Sequence, residues 1–485
     1  MGQLEGGPRA GYDVRATPTT RRRPTMLARL KVDGFKNLVG VDVRFGPFTC
    51  IAGANGVGKS NLFDAIRFLG ALADNPLVAA ANLVRKGRIA DIRSLFHRVG
   101  DDYAREMTFE AEMIVPKEGV DDLGQRAVAA WTFLRYKLVL ARREVGDDPS
   151  ASPLEIRSEE LGPIQPEDSE ASLRFPHDEV WSRSALVGNQ VPPLIFTMGD
   201  SSGAEDSRSH EIYVNRERPS NGRYDSDNVQ SSPYLASALP RTVLSVANAA
   251  ENRTASLARR EMRSWQVLQL EPTALREPDH FTDPSSLGPE GAHLAATLYR
   301  LARSKSGPPG RVVFDKERVY AQVANRLAEL IDDVRDVRVD VDMQREMRTV
   351  QVRGRDGTWH QARALSDGTL RFLALAVIDL DPSSPRVLCL EEPENGLHPD
   401  RIPAMLRLLQ DIATDADEPV DEDNPLRQVI VNTHSPGGRP CGAGRLAPRR
   451  AALRADPRRP PLPGGTIRML PGHLASAGRR HRDHC

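Results

Sequence analysis

Cysteine is scarce: Cys50, Cys389, Cys441 and Cys485 are the only four in 485 residues. Their positions show neither metal-ligand spacing nor a disulfide framework, and Cys50 and Cys389 lie in apolar runs, where they read as small core residues. Long apolar runs are also missing. No stretch reaches the roughly 18 apolar residues that a membrane-spanning helix needs. The arginines near the N-terminus are not followed by an apolar segment, which excludes a secretory signal. No heptad pattern is sustained, so no long coiled-coil arm is expected, and no internal repeat is found. Together these absences point to the cytoplasm.

Charge of one sign is lacking overall, with 66 Lys and Arg against 66 Asp and Glu. The balance hides an asymmetry. Residues 1–25 carry five arginines against Glu5 and Asp13. Residues 437–485 carry eleven arginines and no lysine against Asp456 and Asp483. The body between is therefore net acidic, and its overall charge does not advertise a phosphate-backbone surface.

The chain divides into a leader at 1–25 with no apolar periodicity, a patterned body at 26–436, and a tail at 437–485. Met26 opens the first patterned segment and could be the true start. Within the body, LARLKVDGF alternates as a half-buried strand, and VDVRF and FTCIAGA follow as strands. Leu62, Ile66, Leu69 and Ala73 recur at helical spacing. MTFEAEMIV and residues 131–141 alternate as antiparallel strands with one exposed face. Residues 146–235 are rich in Pro, Ser, Asp and Glu and read as loops and a variable insertion. Residues 255–266 and 291–303 read as helices, and a further helix is predicted from Lys316 to Val334. Two strands flank the turn signal Asp356-Gly357. Residues 369–380 read as a buried helix and VLCL as a buried strand. The tail is rich in Arg, Pro, Gly and Ala and cannot build a core. It reads as a basic disordered tail or, preferably, as a reading-frame change in a GC-rich coding sequence.

The chemistry concentrates in two motifs. Gly53-Ala54-Asn55-Gly56-Val57-Gly58-Lys59-Ser60 fits G-x-x-x-x-G-K-[ST], between an apolar strand and an amphipathic helix. Glycines let backbone N–H groups close around phosphate oxygens, and the helix start turns its positive end to the same charge. In that pattern Lys59 reaches the β- and γ-phosphates of ATP and the Ser60 hydroxyl binds Mg²⁺. The second motif, Val387-Leu388-Cys389-Leu390-Glu391-Glu392, is a buried strand ending in two acids. Neighbours on a strand point opposite ways, so Glu391 can hold the Mg²⁺ shell while Glu392 polarises the attacking water.

This succession resembles the ABC-like P-loop ATPases of the RecF, SMC and OLD type, often labelled AAA-family ATPases. LARLKVDGFKNL is similar to the family's opening strand and Phe-Lys/Arg-Asn turn. GANGVGKSN matches its Walker A loop, including Asn61. LSDGTLRFLALA resembles its signature, with Asp367 where glycine is commoner and Thr369 where glutamine is commoner. LCLEEPENGLHP resembles its Walker B and D-loop, with Glu391 in place of the usual aspartate. VIVNTHSP resembles its switch strand. The resemblance implies an α/β fold with a mixed sheet, an antiparallel β lobe and a helical insertion.

The resemblance also implies roles. Gly53, Asn55, Gly56, Gly58, Lys59, Ser60 and Asn61 would hold the nucleotide. Ser366 and Gly368 would contact the γ-phosphate bound by a second subunit, in a head-to-tail homodimer with ATP between the chains. His434 would sense the γ-phosphate, and Lys36 is as readily a solvated lysine as a nucleotide contact. Gln125 is not convincing as a Q-loop residue. An ABC transporter subunit is disfavoured because its P-loop and signature lie much closer together. The tail is too short and unsuitable in composition for the nuclease domain of OLD-type proteins. The expected function is an ATP-hydrolysing dimerisation switch in DNA repair or phage defence, acting with DNA or an effector protein and no membrane. The alternative is an inactive or truncated remnant that binds nucleotide without productive turnover.

Overall fold

A computed structural model describes residues 25–84, 91–143, 152–165, 172–188, 192–199, 210–215, 217, 233–303, 316–331, 333–384, 386–421, 424–433 and 468–471. Three larger sheets organise the described residues, beside two short two-stranded ones. The largest is antiparallel and eight-stranded, in the order Tyr234–Leu235, Glu211–Val214, Ile195–Met198, Leu154–Pro163, Phe133–Arg142, Glu106–Ile114, Met26–Asp33 and Val41–Arg44. Alternation sets its buried face: Phe109, Ala111, Leu134, Tyr136, Leu138 and Leu140 are all essentially inaccessible.

The second sheet has five strands. Trp265–Leu268, Val387–Glu391, Gln428–Thr433 and Phe48–Ala52 run parallel in that order. Parallel strands buried on both faces read as continuous apolar runs, and Val387, Leu388, Cys389 and Leu390 are all buried. Burial pushes the Cys389 thiol up, so it behaves as a core apolar group. Cys50 is only partly buried, and its thiol is pushed up to about 11 by burial and then by the Glu394 carboxylate. A third sheet joins Asp279–His280, Met347–Gly354, Val334–Asp342 and Trp359–Gln361. It packs with helices Leu294–Arg303, Lys316–Ala328, Asp367–Leu380 and Ile402–Ile412 around a second apolar core.

Two contacts tie the large sheet to the parallel one. Phe35, Phe68 and Phe109 form an aromatic cluster with ring centroids 5.4–5.8 Å apart. Phe68 comes from helix Lys59–Leu72, so the cluster fixes that helix against the large sheet. Such ring pairs add about 0.5–1.5 kcal/mol beyond area burial. The fully buried Gln428 amide is the second contact. It accepts from Leu27 N–H at 3.0 Å and donates to Leu27 O at 2.8 Å and Gly46 O at 3.0 Å. No helix among the described residues is long and apolar enough to cross a membrane.

Three expectations need correction. Residues 146–235 are not only loops: they supply strands Leu154–Pro163, Ile195–Met198, Glu211–Val214 and Tyr234–Leu235, and helix Glu179–Ala185. Helix Lys316–Ala328 stops before Val334, which instead begins a strand. The β-branched alternation Val337, Val339, Val341 favours a pleated, half-buried surface, and Val334 matched the helical spacing by coincidence. In the tail, Arg468–Pro471 is not without structure, since its backbone pairs antiparallel with Phe48–Ala52. That edge strand offers an unpaired ladder on which a short segment gains hydrogen bonds without needing a core.

Glu159, fully buried on Leu154–Pro163, accepts from Val243 N–H at 2.7 Å, Leu244 N–H at 2.8 Å and Tyr136 O–H at 3.1 Å. Desolvation outweighs these donors and pushes its carboxyl up to about 7 from 4.5. A raised folded-state value stabilises fully below the unfolded value and loses that stabilisation as pH rises through the folded one. Raising the pH from 4.5 to about 7 should therefore lower stability, by on the order of 2–3 kcal/mol from this carboxyl. Urea midpoints across this range check it: the fall should be shallower in Glu159→Gln, and an identical slope would show that Glu159 does not titrate there.

Candidate functional site

The parallel register places both motifs at one edge of the five-stranded sheet. Asn432 pairs with Ile51 on one side and with Glu391 on the other, and Thr433 pairs with Ala52. The chain leaving Ala52 enters the glycine loop, and the chain leaving Glu391 enters the acidic turn. Both therefore emerge at the carboxyl ends of parallel strands, where open α/β sheets bind their ligands.

Gly53 follows the strand, and Ala54, Asn55 and Gly56 are exposed at the loop's rim. Gly56 and Gly58 take φ of +81° and +105°, in the left-handed region that glycine enters without penalty. A Cβ on Gly58 would lie 2.8 Å from Asn37 Oδ1 and 3.0 Å from Leu38 Cδ2. Helix Lys59–Leu72 then begins with no side chain capping its first turn. Its leading N–H groups are thereby available to an anion at the loop.

Lys59 is only 4% exposed. Its ammonium donates to Gly53 O at 2.6 Å and Ala54 O at 3.0 Å. Burial lowers its pKa, and the Glu392 carboxylate opposes that shift. The lysine and the second acid therefore feel one another across the site. Ser60 is partly exposed beside Lys59. The glycine cradle, the uncapped helix start and the lysine fit a phosphate chain. The Ser60 hydroxyl and Glu391 carboxylate are hard oxygen donors of the kind Mg²⁺ takes.

Asn37 links the parts of the loop. Its amide donates to Gly56 O at 3.1 Å and its oxygen accepts from Asn61 Nδ2 at 2.8 Å. The Asn61 side chain is thus engaged with the Phe35-Lys36-Asn37 turn. Lys36 is not a solvated lysine. At φ +50° it reaches Asp64 Oδ2 at 2.6 Å and Val84 O at 3.1 Å.

The acidic pair departs from strand alternation. Glu391 is the last strand residue, and Glu392 turns away at φ +45°. A non-glycine residue in that region costs on the order of 1–3 kcal/mol unless its surroundings hold it. Here Glu392 N–H donates to Asn432 O and Asn432 Oδ1, both at 3.1 Å. The Glu392 carboxylate accepts from Asn395 Nδ2. Glu394 accepts from the Thr433 hydroxyl at the end of the neighbouring strand. Asn432, buried at 1% exposure, sets the angle of the catalytic candidate, although the motif alone gives it no role.

Ser366 caps helix Asp367–Leu380, accepting from Thr369 N–H at 3.3 Å. Gly368 packs on the acidic turn: a Cβ there would meet Leu397 Cδ2 at 2.5 Å and Gly396 O at 3.1 Å. Arg371 donates to Leu270 O at 3.0 Å and to Asn395 O. Arg276 reaches Asp367 and Leu365 O. Gly368 thus sits against the Gly396–Leu397 turn two residues after Ser366, while the glycine loop gathers Lys59 and Asn37. His434 lies outside the described residues. Gln125 sits in a turn closed by Asp121, consistent with no role at this edge.

Gly58→Ala should destabilise the chain by about 1–2 kcal/mol from the left-handed backbone alone, and by more from the Asn37 clash. Gly40→Ala, at φ +60° with nothing within 4 Å of its Cβ, should cost only the backbone part. Urea unfolding of both variants checks this. Equal losses would mean that Asn37 does not hold the loop closed.

A family model described as "AAA domain, putative AbiEii toxin, Type IV TA system" matches residues 48–120 and 215–437. No curated protein matches the chain. Among solved structures, an SMC head bound to the C-winged helix domain of ScpA is 14% identical, with a TM-score of 0.38, over 84% of this chain and 90% of that one. The SMC head domain from Thermotoga maritima is 13% identical, with a TM-score of 0.32, over 84% and 89%. The Pyrococcus furiosus SMC head with an extended coiled coil, bound to the C-terminal domain of ScpA, is 12% identical, with a TM-score of 0.37, over 85% and 90%. With more than half of its length matched by the family model, the chain belongs to this AAA-domain family.

Proposed function

We propose that the chain hydrolyses ATP at the edge formed by Lys59, Ser60, Glu391 and Glu392, and that ATP drives a head-to-tail homodimer. The observation that carries this reading is the parallel register that ends the glycine-loop strand and the acidic strand on either side of Asn432, with Glu392 held at φ +45° by Asn432. In this reading Lys59 leaves the carbonyls of Gly53 and Ala54 for the phosphate chain. The loop N–H groups and the helix start hold the phosphate oxygens. Mg²⁺, held through Ser60 and Glu391, would neutralise the phosphates and the leaving oxygen.

Glu392 accepts a proton from the attacking water as its oxygen bonds to the γ-phosphorus. The bond from that phosphorus to the β–γ bridging oxygen breaks, giving ADP and phosphate. Asn395 donates to the Glu392 carboxylate and keeps it aimed at the water's position.

In this reading Ser366 and Gly368 would contact the nucleotide of a second subunit. Ser366 is exposed at a helix start, where its hydroxyl is engaged with the Thr369 N–H and hydroxyl. In this reading the switch would act on DNA or an effector protein, in DNA repair or phage defence.

Phosphate release measured on the purified chain tests the reading. Lys59→Ala should lose nucleotide binding and turnover together. Glu392→Gln should keep binding, slow turnover by roughly a hundredfold or more as expected for a lost general base, and accumulate an ATP-bound dimer by light scattering. Unchanged turnover in both variants would end the proposal, and a monomer at saturating ATP would end its dimer half.

A further inference from the structure

A cavity of about 440 Å³ opens between helix Leu294–Arg303, strand Met347–Gly354 and the turn that follows His280. Arg300, Arg303 and Arg348 all line it, with Phe281 and Tyr299. Three guanidinium groups around one cavity repel unless anions compensate them. Arg300 has its anion, because it pairs with Asp381 and donates to Ser285 O at 2.7 Å. Among the described residues, Arg303 and Arg348 pair with no carboxylate.

Aromatic rings hold these two arginines. The Arg348 guanidinium lies 4.7 Å from the Phe281 ring and 4.8 Å from the Tyr299 ring. Arg303 lies 5.2 Å from the Tyr299 ring and donates to its hydroxyl at 3.1 Å. Stacking uses the faces of a guanidinium and leaves its edge N–H groups for a ligand. Arg348 spends one terminal nitrogen on His280 O at 3.2 Å, and its Nε is buried with no hydrogen-bond partner. A buried donor left unmade costs about 1–3 kcal/mol, so an acceptor beside it would recover that cost. The one carboxylate in the wall, Asp283, already accepts the His280 N–H at 2.6 Å. Two planar forks without anions and an orphaned donor suit a doubly charged group with several acceptor oxygens.

We propose that this cavity is a second anion site, separate from the glycine loop, that takes a phosphate group. The phosphate could belong to a free phosphate compound or to the backbone of a nucleic-acid strand; both offer the same oxygens to Arg303 and Arg348. The site does not depend on ATP turnover, so its failure would leave the hydrolysis reading intact.

The test uses the full chain carrying Lys59→Ala, which removes the phosphate affinity of the glycine loop. Pyrophosphate is titrated by calorimetry, and a labelled single-stranded oligonucleotide is followed by anisotropy. Arg303→Glu is then added. Arg303 is exposed, so its replacement should cost only its contacts with Tyr299 and leave a cooperatively folded chain. Binding should weaken at least about tenfold. Arg126→Glu, an equal charge change on the exposed hairpin Glu118–Val128, should leave binding unchanged. A loss seen with pyrophosphate assigns a free phosphate compound, and a loss seen only with the oligonucleotide assigns a strand. The proposal is overturned if neither probe binds, if Arg303→Glu binds as before, or if Arg126→Glu weakens binding equally.

Discussion

The site depends on one constraint, the register of three parallel strands. Asn432 stands between Ile51 and Glu391, so the strand that feeds the glycine loop and the strand that feeds the acids end at the same level. Strands lie about 4.8 Å apart, which leaves the two loops about 10 Å apart with Asn432 between them. Lys59 and Glu392 can then reach inward from either side. A slip of one residue would turn Asn432 to the opposite face and leave Glu392 without the acceptor that holds its backbone. Burial enforces the register, since nearly every side chain of the central strands is inaccessible. The Gln428 amide ties the same strand to Leu27 and Gly46.

A continuous set of contacts leads away from that edge. Asn395 touches the Glu392 carboxylate with its side chain and Arg371 with its carbonyl. Arg371 belongs to the helix that Ser366 caps, and Gly368 packs on Leu397 of the same turn. Movement of the acidic turn would therefore be felt at the helix start that Ser366 caps. Glycine at 368 and at 396 permits this close approach, because a Cβ at either position would press on the other segment.

Much of this was legible from residue types. The glycine loop, the strand before it and the helix after it announce themselves, because phosphate chemistry demands those residues in that order. The alternating strands 106–114 and 133–142 and the Asp356-Gly357 turn were equally plain. Leu154–Pro163 was not. Its sequence LEIRSEELGP looks solvated, yet Glu159 is buried and bonded to three donors from distant segments. Asn37 and Asn432 were missed as positioning residues for a similar reason: a lone asparagine carries no periodic signal, and its role comes from partners far along the chain. The arginine-lined cavity was hidden because Arg303 and Arg348 are distant in sequence and meet only through Tyr299.

The central claim is a nucleotide site built by Lys59 and its loop. Its most direct test is the melting temperature of the full chain with and without Mg²⁺ and ATP. A ligand bound only by the folded state stabilises it by about 2.7 kcal/mol at a hundred times its dissociation constant. The melting temperature should climb with ATP concentration in the parent chain and stay flat in Lys59→Ala. A melting temperature in the parent chain that does not respond to ATP would contradict it.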